Sequence, residues 1–197
     1  YNHIARISLS TGEPDVSWTP NASDGDVYSL AISGTTIYAG GNFTSIGGRT
    51  IKSVAKLSTL SSNADGVWNA GLPDSNPSIL DVKVEAGGVY LAGTHSGGVS
   101  KHNTTSGAEI WNGDFDNRTP INIRELIING GFLYVGGSFD RISRSTIIAR
   151  NNLVRLNKDS GALDESWDPD ISGGSGIPTV FAIAISGDFI YAGGRFA

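Results

Sequence analysis

The chain has 197 residues, a formal net charge of −5, 39% apolar and 17% charged residues, and no cysteine. The acidic balance offers no basic footprint for nucleic acid or an anionic membrane, and no apolar run approaches the roughly 20 residues of a transmembrane helix. Without cysteine there is no disulfide framework and no thiolate zinc site.

Methionine is also absent, even at position 1. The expectation is a mature product after leader removal, or a piece of a longer polypeptide. Low charge, abundant Ser, Thr and Asn, and no cysteine point to an extracellular or cell-surface protein.

The 27 glycines with Ser, Thr, Asn, Ile and Val suit strands and turns rather than helices. The first unit predicts short strands at 4–9, 15–18, 27–32 and 36–41. Turns fall at Ser10-Thr11-Gly12, at 21–26 and at Ser33-Gly34. The last unit repeats this order: 154–156, then Asp159-Ser160-Gly161, Trp167, 180–185 and 189–193. The continuously apolar run at 180–185 predicts a strand covered on both faces.

Four segments end a strand alike. They are Thr36-Ile-Tyr-Ala-Gly-Gly-Asn-Phe43, Gly88-Val-Tyr-Leu-Ala-Gly-Thr94, Phe132-Leu-Tyr-Val-Gly-Gly-Ser-Phe139 and Phe189-Ile-Tyr-Ala-Gly-Gly-Arg-Phe196. Their tyrosines, Tyr38, Tyr90, Tyr134 and Tyr191, are spaced 52, 44 and 57 residues apart. Trp18, Trp68, Trp111 and Trp167 keep the same beat at 50, 43 and 56. Two aromatic markers in step define four repeats, approximately 1–48, 49–97, 98–148 and 149–197, within one domain. A period near 50 residues fits a four-stranded β-propeller blade. The glycine pair predicts a strand end too crowded for side chains, and each tryptophan predicts a wedge between blades.

The chain opens on a third strand and closes on a second. Either the termini share a blade and close a four-bladed ring, hiding edge strands, or the chain is an arc of a larger propeller. The arc is the expectation.

The recurring Ile-Ala-Arg … Trp and Ile-Tyr-Ala-Gly-Gly-x-Phe patterns, at 4–18, 27–43, 153–167 and 180–196, resemble the delta-60 type repeats of bacterial surface and secreted proteins. The Tyr, Gly-Gly and Trp markers also look like kelch-type blades. The resemblance implies a large extracellular protein, often adhesive, with no family-wide catalytic residues. The second copy departs from the pattern: Ala92-Gly93 replaces Gly-Gly and His95 replaces the phenylalanine. Asn103-Thr-Thr-Ser-Gly-Ala-Glu-Ile-Trp111 resembles the blade motif of quinoprotein dehydrogenases. The match occurs once, because Gly12 and Gly161 stand six residues before their tryptophans, not four.

Acidic turns at Asp24-Gly-Asp26, Asp114-Phe-Asp-Asn117 and Asp168-Pro-Asp170 raise calcium, but none completes a calcium loop, and turn capping is the expectation. His3, His95 and His102 lack partners at catalytic or metal spacing and are expected at the surface or on edge strands. Sequons at Asn21, Asn42, Asn103 and Asn117 are conditional on a eukaryotic secretory source. No catalytic or cofactor-binding residue stands out. The expected function is a non-enzymatic module whose variable loops present a rigid binding surface to a protein, a glycan or a copy of itself. A carbohydrate-binding or carbohydrate-active propeller and a purely structural segment are the alternatives.

Overall fold

A computed structural model describes residues 2–72, 77–115, 121–143, 146–174 and 176–197. Every regular element among them is a strand. Strands β1 (Val27–Ser33), β2 (Thr36–Gly41), β3 (Val54–Ser58) and β4 (Ser61–Ala64) form an antiparallel sheet in chain order, here sheet I. Sheet II repeats this with β5 (Ile79–Glu85), β6 (Gly88–Gly93), β7 (Val99–Asn103) and β8 (Glu109–Asn112).

Sheet III contains β9 (Asn122–Asn129), β10 (Phe132–Ser138) and β13 (Leu153–Asn157). A small hairpin, β11 (Arg141–Ser143) and β12 (Ile147–Ala149), is inserted between its second and third strands, and a Leu156–Leu163 bridge marks the fourth-strand position. Sheet IV is β14 (Thr179–Ser186) paired with β15 (Phe189–Arg195).

Two expectations need correction. The strands predicted at 4–9 and 15–18 are a hairpin held by one bridge, Ile7 to Pro14. In sheets I and II the equivalent third strand is braced by the second; nothing plays that part beside Ile7 among the described residues. For a related reason 180–185 is not covered on both faces. Val180 and Ile183 are buried, whereas Phe181, Ala182 and Ala184 are exposed, because sheet IV packs against sheet III on one side only. The 4–9 segment and β15 are not paired, so the described sheets do not close into a ring.

The core is divided into four clusters, each at a junction between successive units. Ile4 and Trp18 pack with Phe43 and Ile46 of sheet I. Tyr38 and Trp68 pack with Ile79 and Leu91 of sheet II. Trp111 lies with Leu126 and Leu133 of sheet III, and Trp167 and Tyr134 lie with Val180 and Ile183 of sheet IV. The tryptophans thus fill the inter-sheet wedges. Trp68, Trp111 and Trp167 each sit edge-on or tilted to the tyrosine of their own sheet, as at Tyr38–Trp68 with centroids 5.4 Å apart and Tyr134–Trp167 at 5.5 Å.

The indoles also reach forward. Trp18 Nε1 donates to the Ser58 carbonyl (2.9 Å), Trp68 Nε1 to Asn103 (3.0 Å) and Trp111 Nε1 to Lys158 (3.2 Å). The acceptor in each case is the turn between third and fourth strands of the next sheet. Trp167 has no such turn above it among the described residues and remains half-buried.

The glycine pairs work by the side chain they lack. A Cβ on Gly40 would lie 2.6 Å from Val82 of sheet II, and one on Gly136 would lie 2.8 Å from Val180 of sheet IV. The second glycine, Gly41 or Gly137, backs onto the carbonyl of Asp26 or Asn122 in its own unit. None of these four adopts a positive φ, so close approach rather than backbone freedom selects glycine.

Candidate functional site

The first strand of every sheet carries a register break at the same place. The irregularity lies between Val27 and Ser29 in β1, between Ile79 and Asp81 in β5, and between Val180 and Ala182 in β14. In β9 it falls where Glu125 and Ile123 face consecutive glycines of β10. The extra residues are therefore Tyr28, Leu80, Arg124 and Phe181, spaced 52, 44 and 57 apart, like the tyrosines. A bulge turns its unpaired side chain away from the ladder. These four side chains line one opening of about 570 Å³, to which every sheet contributes one residue.

The opening is amphipathic. Tyr28 and Phe181 are 45% and 48% exposed, and the Arg124 guanidinium stands 5.4 Å from the Phe181 ring centroid. Among the described residues no carboxylate pairs with Arg124. That contrasts with Arg6, Arg141, Arg150 and Arg155, which pair with Asp15, Asp140, Asp168 and Asp164.

One residue along the first strands of sheets I to III lies a polar layer of Ser29, Asp81 and Glu125, which ends at Ala182 in sheet IV. Asp81 is buried and takes hydrogen bonds from Ser29 Oγ of sheet I (2.9 Å), Val82 N (2.8 Å) and Leu126 N of sheet III (2.8 Å). Lys83 Nζ completes its shell at 2.7 Å and lies 3.8 Å from Glu125 Oε1. Burial, then the Asp81 charge, raises the Glu125 carboxyl above its ordinary range, with Lys83 opposing. Asp81 thus ties three sheets together beside the opening.

A larger hollow of about 740 Å³ lies between the 48–54 loop and residues 65–72. Its polar groups are already engaged: Arg49 Nε donates to Ala64 O, Asp65 caps Val67 and Trp68, and Trp68 bonds Asn103. The four-sheet opening is the better candidate.

The carboxylates of the acidic turns are taken up by local hydrogen bonds. Asp24 accepts from Thr44 Oγ1, Asp168 accepts from Asp170 N, and Asp170 accepts from Asn151. Asp116 and Asn117 lie outside the described residues, among which no cluster of three or more His, Cys, Asp or Glu side chains is placed to hold a metal. The described sequon amides are employed in turns, Asn42 accepting from Asp26 N and Asn103 from Thr105 N and Ser106 N.

The histidines divide. His3 is exposed and lies 2.9 Å from Asp26. His95 and His102, expected at the surface or an edge, are 1% and 0% exposed, a correction with a specific cause. Ser100 Oγ lies 3.0 Å from His95 Nε2 and 2.8 Å from His102 Nε2, and His102 Nδ1 meets the Gly107 carbonyl at 2.9 Å. With Nδ1–H donating to Gly107, neutral His102 accepts from Ser100, which accepts from His95. Burial lowers the His102 pKa below its ordinary value.

A repeated carboxylate escaped the sequence reading. Asp15, Asp65 and Asp164 stand nine residues after a basic third-strand residue and pair with Arg6, Lys56 and Arg155. The other oxygen caps the turn before tryptophan: Asp15 Oδ1 accepts from Ser17 N, and Asp164 Oδ1 from Ser166 N. The signal was legible as a basic residue, Asp and Trp at offsets zero, nine and twelve. It is broken only in sheet II, whose shorter turn leaves Lys101 to pair with Asp159 of the next sheet.

No family model and no curated protein matches this chain. Among solved structures it is similar to the computationally designed Ika4 protein. The TM-score is 0.58 at 13% identity, covering 91% of this chain and 92% of that one. It is also similar to the computationally designed Ika8 protein, with a TM-score of 0.62 at 12% identity over 98% of this chain. The match spans about half of Ika8, 49% of its length. At these identities the likeness concerns the fold alone.

Proposed function

We propose that this chain is a non-enzymatic, extracellular β-propeller module of delta-60-like repeats, with recognition centred on the opening lined by Tyr28, Leu80, Arg124 and Phe181. The observation that carries the reading is the four-fold bulge, which aims one side chain from every sheet at a shared space. The four side chains differ where the scaffold repeats, and that is the pattern of a binding site grafted on a repeated frame. Rings and a guanidinium without a carboxylate partner among the described residues suit an anionic ligand with an apolar or sugar face.

A carbohydrate-active reading draws on Asp81 and Glu125, which share Lys83 and whose environments differ. Against it, the Asp81 oxygens are filled by Ser29, Val82, Lys83 and Leu126, leaving no lone pair aimed at a substrate. The module reading is therefore preferred. The test is a binding screen of acidic glycans and of peptides with a free C-terminal carboxylate, against wild type, Arg124→Ala and Phe181→Ala. Each variant should weaken the bound ligand at least tenfold, about 1.4 kcal/mol, with the fold intact by circular dichroism. Binding indifferent to both substitutions, or turnover of a glycan without stable binding, overturns the reading.

A further inference from the structure

We infer that β15 is a docking edge for the 4–18 hairpin of a second copy of this chain. In sheets I to III a tyrosine-bearing second strand is always completed in the same way. A basic third-strand residue lies opposite the tyrosine: Lys56 opposite Tyr38, Lys101 opposite Tyr90, Arg155 opposite Tyr134. A tryptophan then packs against the tyrosine ring.

The 4–18 hairpin carries this equipment in the same internal geometry. Arg6 pairs with Asp15 and stands 5.9 Å from the Trp18 ring centroid. Arg155 pairs with Asp164 and stands 5.4 Å from Trp167. The hairpin lacks only the second strand: Arg155 also lies 4.3 Å from the Phe132 ring, and Arg6 has no such neighbour among the described residues. Strand β15 has the opposite deficit. Its Phe189 and Tyr191, counterparts of Phe132 and Tyr134, are 69% and 59% exposed, and its only strand partner among the described residues is β14.

The β10–β13 register fixes how they would meet. Phe132 faces Asn157, Tyr134 faces Arg155 and Gly136 faces Leu153. By the same offsets Phe189 faces Ser8, Ile190 faces Ile7, Tyr191 faces Arg6 and Gly193 faces Ile4 of the second copy. The seated hairpin would also bring the turn after Ser8 over Trp167, the described tryptophan with no next-sheet turn above it. Strand addition of this kind pairs backbone groups and fits alternate side chains.

Within one chain the hairpin lies against sheet I, with Ile4 and Trp18 in that core and Ile7 and Leu9 exposed. Each copy therefore offers a hairpin at one end and an edge at the other, a head-to-tail contact. The docking edge is separate from the four-sheet opening, which lies within one copy.

The test is sedimentation equilibrium of the purified chain across a hundredfold concentration range, with intrinsic fluorescence. Wild type should associate reversibly, and the emission should shift to the blue as Trp167 is covered, a shift absent in Trp167→Phe. Tyr191→Lys sets a cation against Arg6, and Ile7→Asp spoils the hairpin; both positions are exposed, so the monomer keeps its fold. Each variant alone should remain monomeric, whereas an equimolar mixture should form a heterodimer through the one intact pair of surfaces. A wild type that stays monomeric throughout, or either single variant self-associating like wild type, overturns the proposal. Ligand binding at the opening survives such a failure, so the two readings fall separately.

Discussion

At the scale of single residues, sheet II records a coordinated exchange. Where sheet I places Phe43, Ala55 and Leu57 in its core, sheet II places His95, Ser100 and His102. Three apolar groups have become a hydrogen-bonded chain, which is tolerated because each partner is present. Ser100→Ala strands two imidazole nitrogens and should cost roughly 1–3 kcal/mol in urea denaturation. Replacing all three by Phe, Ala and Leu should lie within about 1 kcal/mol of wild type at pH 7. The His102 pKa lies below its unfolded value near 6.5. Below pH 6.5 the unfolded chain therefore takes up the proton first. Stability is complete above that pH and falls as pH drops towards the folded value. Urea midpoints between pH 7.5 and 5 check this: wild type declines below 6.5, and the triple variant loses that decline. Gly161 is a sharper case. Its φ is +69°, and a Cβ there would stand 2.7 Å from the Trp111 ring. Gly161→Ala should cost roughly 2–4 kcal/mol, from left-handed backbone and overpacking together.

At the scale of elements, the unit is a strand followed by a reach into the next sheet. The tryptophans express it, and their environments rank them. Trp68→Ala and Trp111→Ala should each cost on the order of 3–5 kcal/mol. Trp167→Ala should cost about 1–3 kcal/mol, since the half-exposed ring leaves less area to lose. Thermal denaturation of the three variants gives the order directly. The Asp caps add a second acid-sensitive layer. Hydrogen bonds from Ser17, then Arg6, hold Asp15 at about 2, and Asp65 and Asp164 are lowered by similar bonds. Their contribution is present above the ordinary carboxylate range and is lost as pH falls through the folded values. A second decline below about pH 4, separate from the histidine phase and reduced in Asp15→Asn with Asp164→Asn, is the expected profile.

Much of this element was legible in sequence, because Tyr, Trp and paired glycines recur at fixed spacing and each packs in the same way. The bulges were not, because Tyr28, Leu80, Arg124 and Phe181 share a position and nothing chemical. The buried histidines were not either, since partners five and two residues away, 95 to 100 and 100 to 102, meet only once β7 is paired. The strands at 4–9 and 15–18 were over-read because periodicity reports a strand's pattern, whereas its neighbours decide whether it forms.

At the scale of the whole molecule, stability is graded along the chain. Each sheet rests mainly on its neighbours, through β1 on β5, β5 on β9, and β14 on β9 and β10. Such an array behaves as nearest-neighbour units, and a unit with one interface opens more readily than one with two. Strands β2, β6 and β10 are flanked on both sides within their sheets, and Ala39, Leu91 and Val135 at their centres are fully buried. Strand β15 has one partner among the described residues, and its Tyr191 and Phe189 face solvent. Native-state hydrogen exchange at low protein concentration should therefore show β15 amides exchanging at least tenfold faster than those of β2, β6 and β10, a gap of about 1.4 kcal/mol in opening free energy. Sheet I, with the 4–18 hairpin on one side and sheet II on the other, should be protected like sheet II. Uniform protection through β15 at low concentration would mean that the sheets open together, and the nearest-neighbour account would fail. Protection of β15 that rises with concentration, while β2 and β6 stay constant, would place added stability at the edge where a second copy docks.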